Sequence, residues 1–538
     1  MAQEAFDILA DKGLKYKVIT LTAKEKLCPG GEVHCTPDAC SFARGHFDRV
    51  NEAVFSLLKE EKSYTREVIL EAAIAHRVCP FEMALDLSLW CDAVICDYNY
   101  AFAPDVSLKR FFGEGIKEDY IFLIDEAHNL VERGREMFSA SLLREDVMTA
   151  RRMAENEAPS LMKTLSRVSG DMLVMKRELR EDQGKGFLLA DGLPLDFTLH
   201  LQKVRSQIEM LMEEGKKTEL TENLLEFYFK LRRFLNVLEL VDEHYVIYQE
   251  LDENQSFLLR LLCVNPANNL KKRLQMARSA VFFSATFLPL LYYRHLLSVR
   301  EDDHGVYIPS PFDPGRRLIL AACDVSSRYT RRGYEEYLKI AEYIYRTAKA
   351  KAGNYLVFFP SYAMLDEVLG IYQENFSREG TRMVSQQPSM KEEDREAFLA
   401  AFSEASLPGS ETLIGFVVLG GFFSEGIDLP GKSLIGAVIV GTGLPQISHE
   451  REVLKGYFDR RGEDGFAIAY RYPGMNKVLQ AAGRVIRTKE DRGVIVLLDE
   501  RFGESANRIL FPREWKDVKR CRLKEVDRLL TDFWCSQQ

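Results

Sequence analysis

The chain has 538 residues, of which 46% are hydrophobic and 28% are charged. These proportions are typical of a folded globular protein of roughly three or four domains, and they exclude extended disorder and collagen-like repeats. The formal net charge of −9, from 72 Lys and Arg residues against 81 Asp and Glu residues, excludes a uniformly basic coat but not a local basic groove for nucleic acid.

The first predicted elements are a helix, a turn at Gly13 and a strand at residues 17–21. Because α/β units usually begin with a strand, this order predicts that earlier strands of the domain are missing. The acidic N-terminus lacks a signal-peptide pattern, and no apolar run approaches the ~20 residues of a membrane helix. We therefore predict a cytoplasmic protein with no membrane partner.

Four of the ten cysteines lie between residues 28 and 79, with the spacing C-x6-C-x4-C-x38-C. In a reducing compartment this clustering predicts a metal site, and four thiolates can bind zinc or an iron–sulfur cluster. Zinc sites favour close C-x2-C pairs, which this sequence lacks, whereas uneven loops are compatible with a cluster. The predicted ligands are Cys28, Cys35, Cys40 and Cys79. The alternatives are Cys91 or Cys96 as the fourth ligand, and the nearby His34, His46 and His76.

Strands are next predicted at residues 93–96 and 120–124, before a long segment of different character. Residues 136–263 are rich in Leu, Met, Glu, Lys and Arg at helical spacing and show few strand signals, so we predict a helical insertion. Strands resume at 280–284, and beyond residue 318 helices alternate with apolar strands, which is typical of a parallel, doubly wound sheet. These later strands are predicted at residues 355–359, 413–418, 434–440 and 494–498.

Two of the predicted strands end in polar residues that can carry chemistry. The sequence DEAH, residues 125–128, places Asp125 and Glu126 at the carboxyl edge of a sheet, where α/β proteins bind ligands. One such carboxylate can hold the Mg²⁺ of a nucleotide while the other orients or deprotonates the attacking water. The hydroxyls in residues 284–286 could relay between a cleft and a ligand. The alternative in both cases is a turn that caps the following helix.

A second set of polar residues occurs in the sequence QAAGRVIR, residues 480–487. In a helix, Gln480, Arg484 and Arg487 would share one face and could aim two guanidinium groups at one phosphate. The alternative is an exposed basic helix face.

Residues 420–431 form a glycine-rich loop after a predicted strand. Its Gly426 and Asp428 are suited to contacting a nucleotide, a phosphate backbone or a neighbouring Arg, and the alternative is a simple turn. Residues 426–433 also match the phosphate-loop pattern G-x-x-x-x-G-K-S. We reject that function because a strand rather than a helix is predicted next, and because Pro430 removes a backbone donor.

Together these motifs resemble the iron–sulfur superfamily 2 DNA helicases of the XPD/DinG group, over essentially the whole chain. The matching order is the cysteine insert, residues 125–128 as motif II, a helical arch, 284–286 as motif III, 356–362 as motif IV, 421–428 as motif V and 480–487 as motif VI. The resemblance implies an α/β fold of two RecA-like parallel-sheet lobes, the first incomplete and interrupted by both inserts. The implied domains are lobe 1 at 1–27, 80–135 and 264–300, the Fe–S insert at 28–79, the arch at 136–263 and lobe 2 at 301–538.

The resemblance also implies an ATP-dependent helicase that translocates 5′ to 3′ on single-stranded DNA in repair or replication. The implied partners are single-stranded DNA and DNA junctions, and the implied cofactors are ATP, Mg²⁺ and a 4Fe–4S cluster held by the four cysteines. The implied roles are Asp125 for Mg²⁺, Glu126 for the hydrolytic water, His128 and Gln480 for coupling to DNA, Arg484 and Arg487 for the γ-phosphate, and Gly426 and Asp428 for the nucleotide.

The sequence departs from the family at its start, because the family's Walker A loop precedes the first cysteine and none is present here. We therefore interpret the chain as a form of a longer helicase that is N-terminally truncated. The alternative is a fragment that binds nucleic acid through an iron–sulfur or zinc site and does not hydrolyse ATP.

Overall fold

The computed structural model describes residues 2–30, 35, 37–60, 63–113, 119–181, 186–213, 219–252, 254–297, 300, 302–377, 379–404, 411–425 and 434–536. None of the helices within these ranges combines the length and apolarity that crossing a bilayer requires. The chain separates into two compact units. The first comprises Met1–Leu123, Glu132–Phe138 and Asn269–Val281, and the second comprises Ile124–Val131, Ser139–Asn268 and Phe282–Gln538.

The first unit is built on a small parallel sheet with the strand order β2-β1-β3. The helix, turn and strand predicted at its start are confirmed, as is the strand predicted at 93–96. Helices α3, α4 and α5 pack against one another, and apolar side chains such as Ile19, Tyr64 and Met83 form the core. The elements are α1 (Ala2–Asp11), β1 (Val18–Thr20), α2 (Lys24–Leu27), α3 (His46–Glu60), β2 (Ser63–Tyr64), α4 (Arg66–His76), α5 (Pro80–Ser88), β3 (Ala93–Ile95), α6 (Tyr98–Phe102) and α7 (Lys109–Phe112).

The strand predicted at 120–124 is β4 (Ile121–Ile124), and it ends at the DEAH turn. Helix α8 (Asn129–Met137) follows the turn and leads into the long insertion.

The segment 136–263, which we call the insert, contains four strands as well as helices, so the prediction of a helical insertion is right for its helices and missed its strands. Its strands form an antiparallel sheet with the order β5-β8-β7-β6. The two longest strands flank a short turn in which Asp252 Oδ1 accepts the backbone N–H groups of Asn254 and Ser256. The elements are β5 (Ala140–Leu143), α9 (Arg144–Met153), α10 (Pro159–Glu181), β6 (Phe187–Ala190), α11 (Leu195–Glu213), α12 (Glu219–Leu238), β7 (Tyr245–Leu251) and β8 (Phe257–Cys263).

After the insert, the chain forms the strand that pairs with β4. Helix α13 (Ala267–Leu274) precedes β9 (Ser279–Phe282), which is the strand predicted at 280–284 and pairs with β4. Helix α14 (Leu290–Leu296) follows.

The rest of the second unit, which we call the second lobe, is a seven-stranded sheet with the order β12-β13-β11-β14-β15-β10-β16. All its pairings are parallel, as predicted. Apolar clusters cover both faces, which explains why its central strands are continuous apolar runs. The elements are β10 (Arg317–Ala322), α15 (Tyr334–Ala350), β11 (Asn354–Phe359), α16 (Tyr362–Phe376), β12 (Thr381–Ser385), α17 (Glu392–Glu404), β13 (Thr412–Val418), α18 (Phe422–Glu425), β14 (Gly436–Val440), α19 (His449–Asp459), α20 (Tyr472–Ala482), β15 (Gly493–Leu498), α21 (Ser505–Arg508), β16 (Lys519–Cys521) and α22 (Leu523–Cys535).

Candidate functional site

The ends of β4 and β9 bring the DEAH turn beside the turn that contains Ser284. The backbone N–H of Phe283 donates to the carbonyl of Ile124 (3.1 Å), and the N–H of Ala127 donates to the carbonyl of Phe283 (3.2 Å). Ser284 Oγ in turn accepts the N–H of Thr286 (3.1 Å). These backbone bonds hold the polar residues of the two turns side by side.

His128 lies at the centre of a hydrogen-bonded group and is almost fully buried. Its Nδ1 is 2.7 Å from Ser284 Oγ, and its Nε2 is 2.8 Å from Gln480 Nε2 on α20. Because an amide nitrogen can only donate, His128 Nε2 accepts the bond from Gln480 and Nδ1 carries the ring proton. That proton faces Ser284 Oγ and the carboxylate of Glu126, whose Oε2 is 3.3 Å from Nδ1. His128 therefore connects the DEAH turn with the turn that contains Ser284 and with helix α20.

Glu126 combines an unusual backbone conformation with an ionised side chain. Its φ of +45° lies in the left-handed region, which costs a non-glycine residue about 1–3 kcal/mol and is concentrated at functional sites. Its backbone N–H donates to Asp125 Oδ1 (2.8 Å). A hydrogen bond from His128 lowers the pKa of Glu126, and the charge of Arg484 adds to this effect, against burial, which raises it. The carboxylate is therefore charged at neutral pH and close enough to Arg484 to interact with it.

Helix α20 ends at Ala482, so the prediction that Gln480, Arg484 and Arg487 lie on one helical face is wrong. Gly483 is the C-cap, and the chain continues as a turn. Glycine disfavours continuation of a helix because it loses more conformational entropy than other residues when it becomes helical. Only Gln480 of the three belongs to the helix.

The loop after α20 has its own backbone support. The N–H groups of Arg487 and Thr488 both donate to Asp491 Oδ2, each at 2.7 Å. Arg484 is half-buried near Glu126, whereas Arg487 is exposed further along the loop. The structure thus brings Arg484 to the DEAH turn and places Arg487 on a fixed loop beside it in sequence.

Two of the predicted nucleotide contacts, Gly426 and Asp428, lie outside the described residues, as does the whole of the segment 426–433. The strand that was predicted to follow this segment is present as β14. A strand at this position agrees with our rejection of the phosphate-loop function, which requires a helix.

The sequence analysis missed two side chains at the carboxyl end of β13. Gly420 has a φ of +74°, and a Cβ on it would lie 2.7 Å from Lys477 Nζ, so the lysine lies directly over the glycine. Gln386 Nε2 donates to the hydroxyl of Tyr362 (2.9 Å), and its Oε1 accepts a backbone N–H of β13 (2.9 Å). The signal that could have identified Lys477 is its position one helical turn before Gln480.

The four predicted cysteine ligands do not converge on one point. Within the part of the chain that the structure describes, no three His, Cys, Asp or Glu side chains are placed to hold a metal ion. Burial raises the pKa of Cys79, to which the charge of Cys35 contributes, so these two thiols are within electrostatic reach. Lys24 binds Cys35, and this hydrogen bond raises the pKa of the lysine. Four sulfur donors fit an iron–sulfur cluster in chemistry, although their described positions do not complete one.

The first turn of α3 connects the segments that carry Cys40 and Cys79. His46 Nδ1 accepts the backbone N–H of Cys79 (3.1 Å). The guanidinium of Arg49 donates to three carbonyl groups that flank the two cysteines. These belong to Arg44 (2.7 Å), His76 (3.1 Å) and Arg77 (2.6 Å). The alternative ligand His34 lies outside the described residues.

The alternative fourth ligand Cys91 has a different environment. Burial raises its pKa to about 12, and its Sγ donates to the carbonyl of Leu87 (3.4 Å). A thiol that stays protonated and packs beside α5 has the character of a small apolar residue rather than of a metal ligand.

Two protein families match the chain. The family described as DEAD_2 matches residues 11–147, and the Helicase C-terminal domain matches residues 344–518. The first match includes the cysteines and the DEAH turn, and the second includes α20 with the loop that follows it.

Curated relatives are similar at low identity. A regulator of telomere elongation helicase 1 homologue from Caenorhabditis briggsae is 23% identical over 585 residues, which cover 88% of this chain and 57% of the relative. The ATP-dependent DNA helicase CHL1 of Coccidioides immitis is 24% identical over 478 residues, which cover 77% of this chain and 54% of the relative. The chain thus spans a little over half the length of these two proteins.

Solved structures with the same fold include an XPD helicase, with a TM-score of 0.57 and 18% identity. The match covers 97% of this chain and 90% of that one. The Xpd4 structure from S. tokodaii has a TM-score of 0.53 and 16% identity, and the match covers 96% of this chain and 98% of that one.

Proposed function

The chain belongs to the XPD/DinG-type superfamily 2 helicases, and we propose that it forms the motor part of an ATP-dependent DNA helicase. The observation that carries this proposal is the hydrogen bond between Gln480 and His128. It joins the acidic turn after β4 to a helix of the second lobe, across 352 residues of sequence. Such a bond is what a motor needs if the two parts are to respond together to one nucleotide.

In this proposal, the DEAH turn provides the acids of ATP hydrolysis. Asp125 binds Mg²⁺, which when bound neutralises charge on the phosphates, and Glu126 orients the attacking water. The lowered pKa of Glu126 supports its role, because only an ionised carboxylate accepts hydrogen bonds from water with both oxygens.

The second lobe provides the positive charge at the γ-phosphate. The electrostatic contact between Arg484 and Glu126 supports Arg484 in this role, because it places a guanidinium next to the acid that orients the water. Arg487 follows on the loop fixed by Asp491 and is proposed as the second arginine. Gly426 and Asp428 remain predicted nucleotide contacts.

We further propose that single-stranded DNA lies along the carboxyl edge of the second-lobe sheet and that the protein translocates along it 5′ to 3′. The proposed substrates are DNA junctions in repair or replication, and the proposed location is the cytoplasm. Lys477 over Gly420 and the hydroxyl of Tyr362 beside Gln386 support this path. An ammonium and an aromatic ring are the groups that bind phosphates and bases without sequence preference.

The four cysteines are proposed to hold a 4Fe–4S cluster. The number of sulfur donors and the bonds from the first turn of α3 to the segments around Cys40 and Cys79 support this proposal. Iron and acid-labile sulfide are to be measured in protein purified without oxygen. About four iron atoms per chain are expected, and stoichiometric zinc without iron would contradict the cluster.

The second candidate function is DNA binding without ATP hydrolysis. It is favoured by one observation, that the single G-x-x-x-x-G-K-S match in the sequence leads into β14 and not into a helix. We therefore expect the 538-residue chain to bind single-stranded oligonucleotides without turnover, and to hydrolyse ATP only where a phosphate-binding loop is supplied.

Fluorescence anisotropy with a single-stranded oligonucleotide, at several salt concentrations, tests the shared part of both functions. The affinity is expected to fall steeply as salt rises, because Lys and Arg release counterions from the phosphates. Phosphate release in the same samples separates the two functions. Binding that does not depend on salt contradicts both, and rapid DNA-dependent turnover by this chain contradicts the binding-only function.

A further inference from the structure

We propose that helix α19 of the second lobe holds the insert in place, and that Arg260, His449 and Glu450 are positioning residues for motifs II and III. This role goes beyond nucleotide and DNA contacts, because none of these residues lies in the DEAH turn or on α20. It rests on contacts between the insert and the second lobe, which belong to the same compact unit.

The N-terminal end of α19 contacts three strands of the insert. His449 Nδ1 lies 2.8 Å from Glu250 Oε2 on β7, and the His449 ring is 5.5 Å from the ring of Phe187 on β6. The adjacent Glu450 forms an ion pair with Arg260 on β8. Two neighbouring residues of one helix therefore make polar contacts with two neighbouring strands of the insert.

The C-terminal end of α19 binds the turn that precedes β7. The hydroxyl of Tyr457 donates to the carbonyl of Glu243 (3.2 Å), and Arg461 Nη2 donates to the same carbonyl (2.8 Å). His244 Nδ1 is 3.3 Å from the Tyr457 hydroxyl. Contacts at both ends of an 11-residue helix, about 16 Å long, prevent the insert from pivoting about a single point.

This interface combines polar contacts with apolar side chains, among them Phe187 against the His449 ring. A cleft of about 720 Å³ lies beside the contact between His449 and Glu250. Phe187, Glu250 and His449, which form the contact, also line this cleft. Each partly exposed polar contact contributes little stability by itself, so α19 holds the insert through several contacts together.

The two ends of the insert connect it to the candidate site. Its first strand, β5, begins 12 residues after His128, and β8 ends 21 residues before Ser284. The ends are joined to each other, because the N–H of Cys263 donates to Ser139 Oγ (2.9 Å). The insert is thus continuous in sequence with motifs II and III while its strands are bound to α19. In this proposal, loosening of the contact between α19 and the insert therefore also increases local opening at residues 282–286.

Charge reversal in the 538-residue chain tests this inference by hydrogen–deuterium exchange, without nucleotide or DNA. In Arg260→Glu and in Glu450→Arg, exchange in β8, in α19 and in residues 282–286 is expected to rise about fivefold, the factor that corresponds to a partly exposed ion pair. The double variant restores the pair with reversed charges, and its exchange is expected to return to that of the unmodified chain.

A matched control is the ion pair between Lys230 and Asp146, which joins α12 to α9 within the insert and is similarly exposed. Lys230→Glu is expected to leave exchange in α19 and in residues 282–286 unchanged. The inference is overturned if the double variant does not restore exchange, or if the control changes α19 equally.

Glu250→Gln, which keeps an oxygen for His449, provides a milder variant if charge reversal prevents folding. Its expected effect on exchange in α19 is smaller and in the same direction, and no change there also overturns the inference. Because the measurement uses neither ATP nor DNA, it fails or succeeds independently of the proposed helicase function.

Discussion

The DEAH turn and the cysteine segments are both predicted sites, but different forces hold their side chains. At the DEAH turn, His128, Ser284 and Gln480 satisfy one another through hydrogen bonds. The cysteine thiols have no comparable attraction for one another, although the structure does bring Cys35 and Cys79 within electrostatic reach. A site that is closed by protein hydrogen bonds is therefore complete without a ligand, whereas a site whose bonds are to metal is not.

The pKa values of the two sites shift in opposite directions, in agreement with this difference. The pKa of Glu126 is lowered by its bond with His128, so its reactive form is present in the folded chain at neutral pH. Burial raises the pKa of Cys79, so its thiol stays protonated unless a metal replaces the proton. The comparison predicts that one substitution at the cysteine site abolishes iron binding. Substitutions in the hydrogen-bonded regions are expected to lower the free energy of unfolding by amounts that depend on burial.

The largest effect is expected for Cys35→Ser. If the cysteines depend on a cluster for their arrangement, loss of one ligand should reduce iron from about four atoms per chain to less than one. Iron and sulfide analysis after anaerobic reconstitution measures this. The matched control is Cys535→Ser, because Cys535 is also an exposed thiol, and it should retain all its iron. Full iron occupancy in Cys35→Ser would remove this residue from the ligand set.

The second largest effect is expected for Asp499→Asn in the second lobe. Like the DEAH turn, this site is held by bonds between protein side chains. The buried carboxylate accepts bonds from the N–H and Oγ of Ser327 and pairs with Arg501. Removing its charge deprives the mostly buried Arg501 of its carboxylate partner and should lower the free energy of unfolding by about 3–5 kcal/mol. Urea denaturation measures the change. Glu504→Gln, at an exposed ion pair with Arg328, is the control and should cost at most about 1 kcal/mol. Equal losses would contradict the importance of burial.

The pH dependence of stability should follow the same carboxylate. Burial raises the pKa of Asp499, but hydrogen bonds from Arg501 and Ser327 lower it by a larger amount. The folded-state pKa is therefore below the ordinary value. A lowered carboxyl pKa contributes stability above the ordinary Asp pKa of about 4, and this contribution is lost as the pH falls through the folded-state value. As the pH is lowered, the free energy of unfolding should therefore fall more steeply for the unmodified chain than for Asp499→Asn. Parallel curves would show that Asp499 is not responsible.

The smallest effect is expected for Gln480→Ala, because one hydrogen bond to a partly satisfied histidine is lost. The free energy of unfolding should fall by about 1 kcal/mol, measured by urea denaturation. The control Gln387→Ala removes an exposed amide that donates to Ser385, and it should change stability very little. A loss at Gln480 no larger than at Gln387 would mean that the bond to His128 contributes nothing to holding the motifs together.

The sequence was sufficient wherever local pattern decides structure. The apolar runs of the second lobe predicted its central strands within two residues at each end, because burial on both faces requires continuous hydrophobicity. It was insufficient for the insert, where β7 and β8 lie among strongly helical segments and the shared hydrophobic residues fit either period. It also missed the end of α20 at Ala482, because helical spacing alone does not indicate where Gly483 ends the helix.

The amino-acid sequence by itself determined the order of the motifs, the parallel sheet of the second lobe and the chemical character of each candidate residue, because these depend on residue type and on neighbours in the chain. Only the tertiary structure decided that Gln480 reaches His128, that Lys477 covers Gly420 and that α19 binds the insert. These contacts join residues that are far apart in sequence, and packing of whole elements sets their distances. The convergence of the four thiols is proposed to require one further partner, the metal, whose bonds are part of neither the chain's local pattern nor its packing.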